Sequence, residues 1–226
     1  QPFEIHVIGT PSEESLDGGK NEMAAHDGFD HIDVAFMVHG STLTQLETPS
    51  LALIEMDVEF HGKTAHAGIA PYAGRSAVDA VTMLQTGLGL MRNHLKDSSR
   101  VSNIVLAGGT AVNSVPDFAK VKVEIRHSSM AYLESVEQWT REIAQAAAMA
   151  TQTQVQITPV AHIYNTTIND AMGALLMECA EKFACDGLAP PRKDCGSTDF
   201  GAVTHRLPSC CLRVKTIETD DPPHTD

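Results

Sequence analysis

Leu51 to Phe60 reads LALIEMDVEF, and its second half alternates: Met56, Val58 and Phe60 are apolar, while Glu55, Asp57 and Glu59 are acidic. A period of two is the signature of a strand with one face in a core and the other in water, which places it in an antiparallel sheet. Leu53 counts among its apolar positions. Downstream, Gly74 to Leu95 carries Val78, Val81, Leu84, Leu88, Met91 and Leu95 at steps of three and four, which predicts an amphipathic helix with one apolar stripe. Arg100 to Leu106 and Phe118 to Arg126 read as two further strands, joined across Gly108-Gly109 and Pro116. Met130 to Ala150 reads as a second helix with Leu133, Val136, Ile143 and Ala147 on one side, and Val155 to Val160 as a closing strand. Strand, helix, strand, strand, helix, strand is the order of a split βαβ, ferredoxin-like α+β unit, with four strands and two helices on one face. Its expected extent is residues 52–162.

On either side the pattern changes. Phe3 to Ile8 is an apolar run, read as a core strand, that stops at Gly9-Thr10-Pro11 and leads into Glu13 and Glu14 and then Gly18-Gly19-Lys20. A second run, Val34 to Val38, stops at His39. A helix over about 168–184 and a short strand over 208–214 return to the same style. Residues 1–51 and 163–226 therefore read as one α/β unit, with helices around a mainly parallel sheet, into which the α+β unit is inserted. Ligands of open α/β sheets gather beyond the carboxyl ends of strands. Two adjacent acids and a histidine there point to a hydrolytic metal centre. Because the chain starts with Gln inside a run of core character, it reads as a fragment whose N-terminal part is absent.

Composition narrows the function classes. A formal net charge of −13, with 16 Lys and Arg forming no basic block, argues against nucleic acid as a partner and against anionic membranes. No apolar stretch reaches the roughly 18 to 20 residues of a membrane span. The five cysteines are an odd set without C-x-x-C spacing, which fits a reducing cytoplasm better than a disulfide framework. Cys210 and Cys211 read as small buried hydrophobes rather than zinc ligands. Gly18-Gly19-Lys20 lacks the spacing of a phosphate loop and precedes no clear helix cap, so nucleotide binding is rejected.

Six strings, GTPSEESLDGGK, FMVHG, GKTAHAGIAPYAGRSAVDAV, AGGTAVNSVPD with EIRH, CGSTDFGAV and PPHTD, run in order over nearly the whole chain. Together they resemble the aminoacylase and glutamate-carboxypeptidase family of co-catalytic metallopeptidases. The nearest likeness is to the amidohydrolase subgroup of aminobenzoyl-glutamate hydrolases and β-alanyl dipeptidases. The resemblance implies a catalytic domain carrying two divalent metal ions, usually zinc, with manganese or cobalt as alternatives. It also implies an inserted lid through which two copies dimerise. Matched by motif, Glu13 is the general base, Glu14, His39 and His224 are metal ligands, and His66 of the lid reaches the partner subunit's site. Asn113 and Arg126 match lid positions that bind substrate, and Ser197 and Asp199 match a segment lining the cleft.

The chemistry asks for this division of labour. Two cations about 3.5 to 4 Å apart acidify a bridging water and polarise a carbonyl, while a carboxylate that is not a ligand moves the proton. The expected substrates are N-acyl amino acids, aminobenzoyl-glutamate-like amides or dipeptides. The family's two upstream ligands are not in this sequence, Gly40 stands where relatives often carry Pro, and the C-terminal helix after His224 is absent. The fragment alone is therefore expected to be inactive. The alternative from another class is a non-catalytic or truncated member, acting as a dimerising ligand-binding protein.

Overall fold

A computed structural model describes residues 2–13, 18–183, 185–193 and 196–218. In chain order the elements are α1 (Gly19–Ala25), β1 (Ala35–Ser41), β2 (Gln45–Leu46), β3 (Ala52–His61), α2 (Ala77–Met91), β4 (Arg100–Ala107), β5 (Phe118–His127), α3 (Met130–Thr151), β6 (Gln154–Ile163), α4 (Asp170–Lys182), α5 (Phe200–Thr204) and β7 (Ser209–Lys215). The backbone divides into two compact units, Ala52–His162 and the segments Gln1–Leu51 with Ile163–Asp226. Among the described residues no helix is long and apolar enough to cross a membrane.

The unit Ala52–His162 is a four-stranded sheet in the order β4-β5-β3-β6. The two middle strands pair antiparallel from Ala52↔His127 to His61↔Phe118, and β4 pairs antiparallel with β5. Ala52, Ile54, Met56, Val58 and Phe60 of β3 and Ala119, Val121, Val123 and Ile125 of β5 point to one side, where Leu84 and Leu88 of α2 and Leu133 and Val136 of α3 complete the core. Leu53 is also buried, but it is off the parity of that face and stands outside this core, because successive side chains of a strand alternate sides. Both helices start on a serine whose hydroxyl accepts a backbone N–H: Ser76 from Asp79 and Ser129 from Tyr132.

The other face of the sheet is charged. Lys120 bridges Asp57 at 2.7 Å and Glu59 at 3.0 Å, and Lys122 meets Glu55 at 2.8 Å. These carboxylates hold both lysines above their ordinary range. The alternation of acids in β3 is thus answered by cations in β5.

In the other unit, β1 and β7 are parallel from Ala35↔Ser209 to Ser41↔Lys215, and β2 adds antiparallel to β7. Ala24 and Phe29 pack with Phe200, Ala202, Val203 and Cys211 to form its core. Cys210 is fully buried, and burial pushes its thiol up, which keeps it a neutral core group.

Three expectations need correction here. Residues 3–8 form no strand, and Phe3, Ile5 and Val7 are exposed, because a run of apolar residues becomes a strand only with a ladder partner and none of the described residues supplies one. Glu13 therefore sits in a loop before a helix, not at a strand exit. His39 lies inside β1 rather than at its end. Gly18-Gly19-Lys20 does open a helix. Gly18, at φ +64°, serves as its cap, and a Cβ on Gly19 would fall 2.0 Å from the Pro11 carbonyl oxygen.

Candidate active site

Glu14 and His224 lie outside the described residues, so the donor set read from the sequence is described at His39 alone. Among the described residues no group of three or more His, Cys, Asp or Glu side chains could hold a metal ion. His39 nevertheless has the geometry of a ligand. Its Nδ1 is 2.6 Å from the Gly40 carbonyl oxygen, and in the tautomer that makes this bond Nδ1 carries the proton and Nε2 keeps its lone pair. Metal-binding histidines are oriented by such a bond from the second ring nitrogen. A carboxylate with two imidazoles is also a donor set that suits zinc-type cations.

Two residues that the sequence reading missed stand behind His39. Arg213 is its cross-strand partner on β7, with Nη1 3.2 Å from Nδ1, a donor that Nδ1 accepts only in the other tautomer, with the proton on Nε2. The guanidinium is gripped by Glu47, a carboxylate 5% exposed that Arg192 also approaches at 3.5 Å. The link between Glu47, just after β2, and Arg213 of β7 leaves no local motif.

Glu13 is half-buried and follows Ser12, a non-glycine residue at φ +59°. Left-handed backbone of this kind is uncommon for an L side chain and clusters at sites where a neighbour must be aimed. The segment is anchored just beyond by Lys20. Its ammonium donates to Asp199 Oδ1 at 2.6 Å and its backbone N–H to Asp199 Oδ2 at 3.0 Å. Asp199, read from sequence as lining the cleft, is instead a buried structural acid, with a side chain 1% exposed and committed to Lys20. The lysine of the glycine string was visible in the sequence, but its partner lies far along the chain. Ser197 is half-buried in the same loop, next to Gly196, whose carbonyl accepts the Leu51 N–H at 2.9 Å.

In the inserted unit the structure brings His66 and Asn113 together. Ala67 N–H donates to the Asn113 carbonyl at 2.9 Å, Val115 N–H to the Ala65 carbonyl at 2.9 Å, and the Thr64 and Ser114 hydroxyls meet at 3.0 Å. The base of this clip is closed by reciprocal bonds between Lys63 and Arg75. Gly62 permits them, since a Cβ there would meet the Arg75 carbonyl oxygen at 2.0 Å. His66 is exposed, and its Nδ1 accepts the Gly68 N–H at 3.2 Å. That bond leaves the proton on Nε2, so the ring presents an outward N–H donor.

Arg126 is not part of this cluster. It sits at the far end of β5, roughly 25 Å along the strand from Phe118 at about 3.4 Å per residue. Its guanidinium is held by Glu124 through paired bonds of 2.7 and 2.9 Å.

Residues 52–152 match the family model of a peptidase dimerisation domain. Over 92% of its length the chain is 31% identical to a mouse Xaa-Arg dipeptidase, of which it covers 49%. Over 74% of its length it is 32% identical to a p-aminobenzoyl-glutamate hydrolase chain of Escherichia coli, of which it covers 36%. The crystal structure of an aminobenzoyl-glutamate utilization protein from Klebsiella pneumoniae matches 92% of this chain and 56% of that one, at a TM-score of 0.77 and 24% identity. The chain spans about half the length of the curated dipeptidases it matches.

Proposed function

We propose that this chain is part of a metal-dependent amidohydrolase of the family whose members carry this peptidase dimerisation domain, a reading supported by the match over residues 52–152 and by the dipeptidase and hydrolase relatives. The substrate class is an N-acyl amino acid, an aminobenzoyl-glutamate-like amide or a dipeptide, in keeping with the hydrolases and dipeptidases among its relatives. Glu14, His39 and His224 would hold the metal. Divalent ions bound there would acidify a bridging water and polarise the scissile carbonyl.

The remaining work falls to side chains. Glu13 takes the proton from water and passes it to the leaving amine. His66, with its proton on Nε2, donates to the oxyanion of the tetrahedral intermediate, a contribution of about 2.7 to 4 kcal/mol in comparable hydrolases. Asn113, in the same clip, would contact the substrate beside it. Arg126 would bind a free carboxylate of the substrate through its guanidinium. The observation that carries the reading is His66, whose Nδ1 accepts the Gly68 N–H and so leaves the N–H on Nε2 that an oxyanion donor requires.

The parent protein is expected to turn over at least one member of a panel of dipeptides, N-acyl amino acids and p-aminobenzoyl-glutamate after loading with zinc, manganese or cobalt. Activity is expected to vanish on chelation and return on adding metal. A panel without metal-dependent turnover would end the proposal.

The inserted unit would pair two copies. β4 is an edge strand, and Ile104, Val105 and Leu106 on it are 59%, 44% and 51% exposed. An apolar edge with open backbone groups invites a second strand. The double substitution Ile104→Lys and Leu106→Lys is expected to convert a dimer to a monomer by light scattering at micromolar concentration, with the far-UV spectrum unchanged. An unaltered mass would place the interface elsewhere.

A further inference from the structure

A concave site lies at the junction of α2 and β4. It is a cavity of about 370 Å³ walled by the loop that contains Arg92, Lys96, Asp97, Ser98, Ser99 and Arg100. In a chain of net charge −13, three cations within this short segment against one acid form a local excess of the opposite sign.

Each cation is held from the side by a neutral group. Arg92 Nη2 donates to the Val101 carbonyl at 2.6 Å, Arg100 Nη1 donates to the Ser99 carbonyl at 2.9 Å, and the Lys96 ammonium lies 4.4 Å from the Tyr132 ring centroid. The Lys96 backbone N–H is also tied to the Tyr132 hydroxyl at 2.9 Å. Among the described residues none of the three makes a salt bridge, whereas the lysines of the sheet face and Arg126 are all matched by acids.

Two further observations point to a missing anion. The Ser99 hydroxyl oxygen is buried without a hydrogen-bond partner. Arg100 stands directly opposite Arg126 across β4 and β5, a like-charge pair that is unfavourable in a sheet unless compensated. Glu124 compensates Arg126, and no described acid compensates Arg100. Charge complementarity with the carboxyl end of α2 accounts for Arg92, but Lys96 and Arg100 lie beyond the reach of that effect.

We propose that this loop is a binding site for a small, multiply charged oxyanion of the phosphate or polycarboxylate type. Guanidinium forks match such oxygens in pairs, and the Ser99 hydroxyl supplies a neutral donor. The site needs no metal, and it meets the hydrolytic reading only at Arg126, which faces Arg100 across the sheet.

Titration calorimetry on this chain, in a zwitterionic buffer with EDTA, tests it with phosphate, pyrophosphate and citrate as separate arms. At least one is expected to bind with one-to-one stoichiometry and to weaken as chloride is raised. The arm with the tightest binding identifies the phosphate or the carboxylate source. The double variant Arg92→Gln with Arg100→Gln is expected to lose roughly tenfold or more in affinity, and Ser99→Ala a smaller factor. Lys96→Gln provides a second test should the double variant lose its native circular dichroism. No saturable heat with any arm at tens of millimolar, or affinity unchanged in folded variants, would overturn the assignment.

Discussion

Asp199→Ala is expected to destabilise the unit built from residues 1–51 and 163–226 by about 3 to 5 kcal/mol, the cost of leaving a buried charge without its partner. Lys20 has a side chain only 11% exposed, and both its ammonium and its backbone N–H lose their acceptor in this variant. The effect should be confined to one unit. The single tryptophan, Trp139, lies on α3 of the other unit, so its fluorescence reports that unit's unfolding while far-UV circular dichroism reports both. Urea titration should then show an early circular-dichroism phase in the variant and an unmoved fluorescence transition. Replacing both partners by apolar residues, Lys20→Met with Asp199→Leu, should recover most of the loss, because neither charge is then stranded. A shift below about 1 kcal/mol in Asp199→Ala would mean that water already reaches the pair. The clamp also bears on the site: it fixes the residue that follows Gly19, whose backbone is packed against Pro11, and so it holds both ends of the loop that carries Glu13.

The inserted unit was legible in the sequence because its elements are dictated locally. β3 alternates with period two, and α2 and α3 carry apolar stripes at the helical spacing. The strand order that follows is the split βαβ order. In the other unit the same rules fail where structure depends on partners. Phe3 to Ile8 has strand composition but no described ladder to join. α1 opens on two glycines, with no side-chain cap to announce it, and α5 is a single short turn that follows Asp199.

The candidate site divides along the same line. Residue types at Glu13, His39, His66 and Asn113 were readable from motifs, and the tautomer of His66 was not, since it is set by a backbone N–H brought close by folding. Asp199 shows the converse. Its motif resembles a segment that lines the cleft in relatives, but only the fold reveals that its carboxylate is spent on Lys20.

Glu13→Gln in the metal-loaded parent protein is expected to lower kcat by roughly 10² to 10⁴-fold, the range that a positioned general base contributes. KM and bound metal should stay nearly unchanged. The amide keeps the size of the carboxylate and the left-handed turn at Ser12, so the substitution removes proton affinity with little else. Glu14→Gln gives the contrast that makes the result informative. If the first acid is the base and the second a ligand, the neighbouring variant should lose metal as well as activity, measured by elemental analysis after gel filtration. The two acids are adjacent in sequence, so a general disturbance of the loop would affect both variants alike. Rate loss with metal retained at position 13, against metal loss at position 14, is the pattern that separates proton transfer from coordination. Metal loss in Glu13→Gln, or a kcat within a few-fold of the parent, would require the two roles to be reassigned.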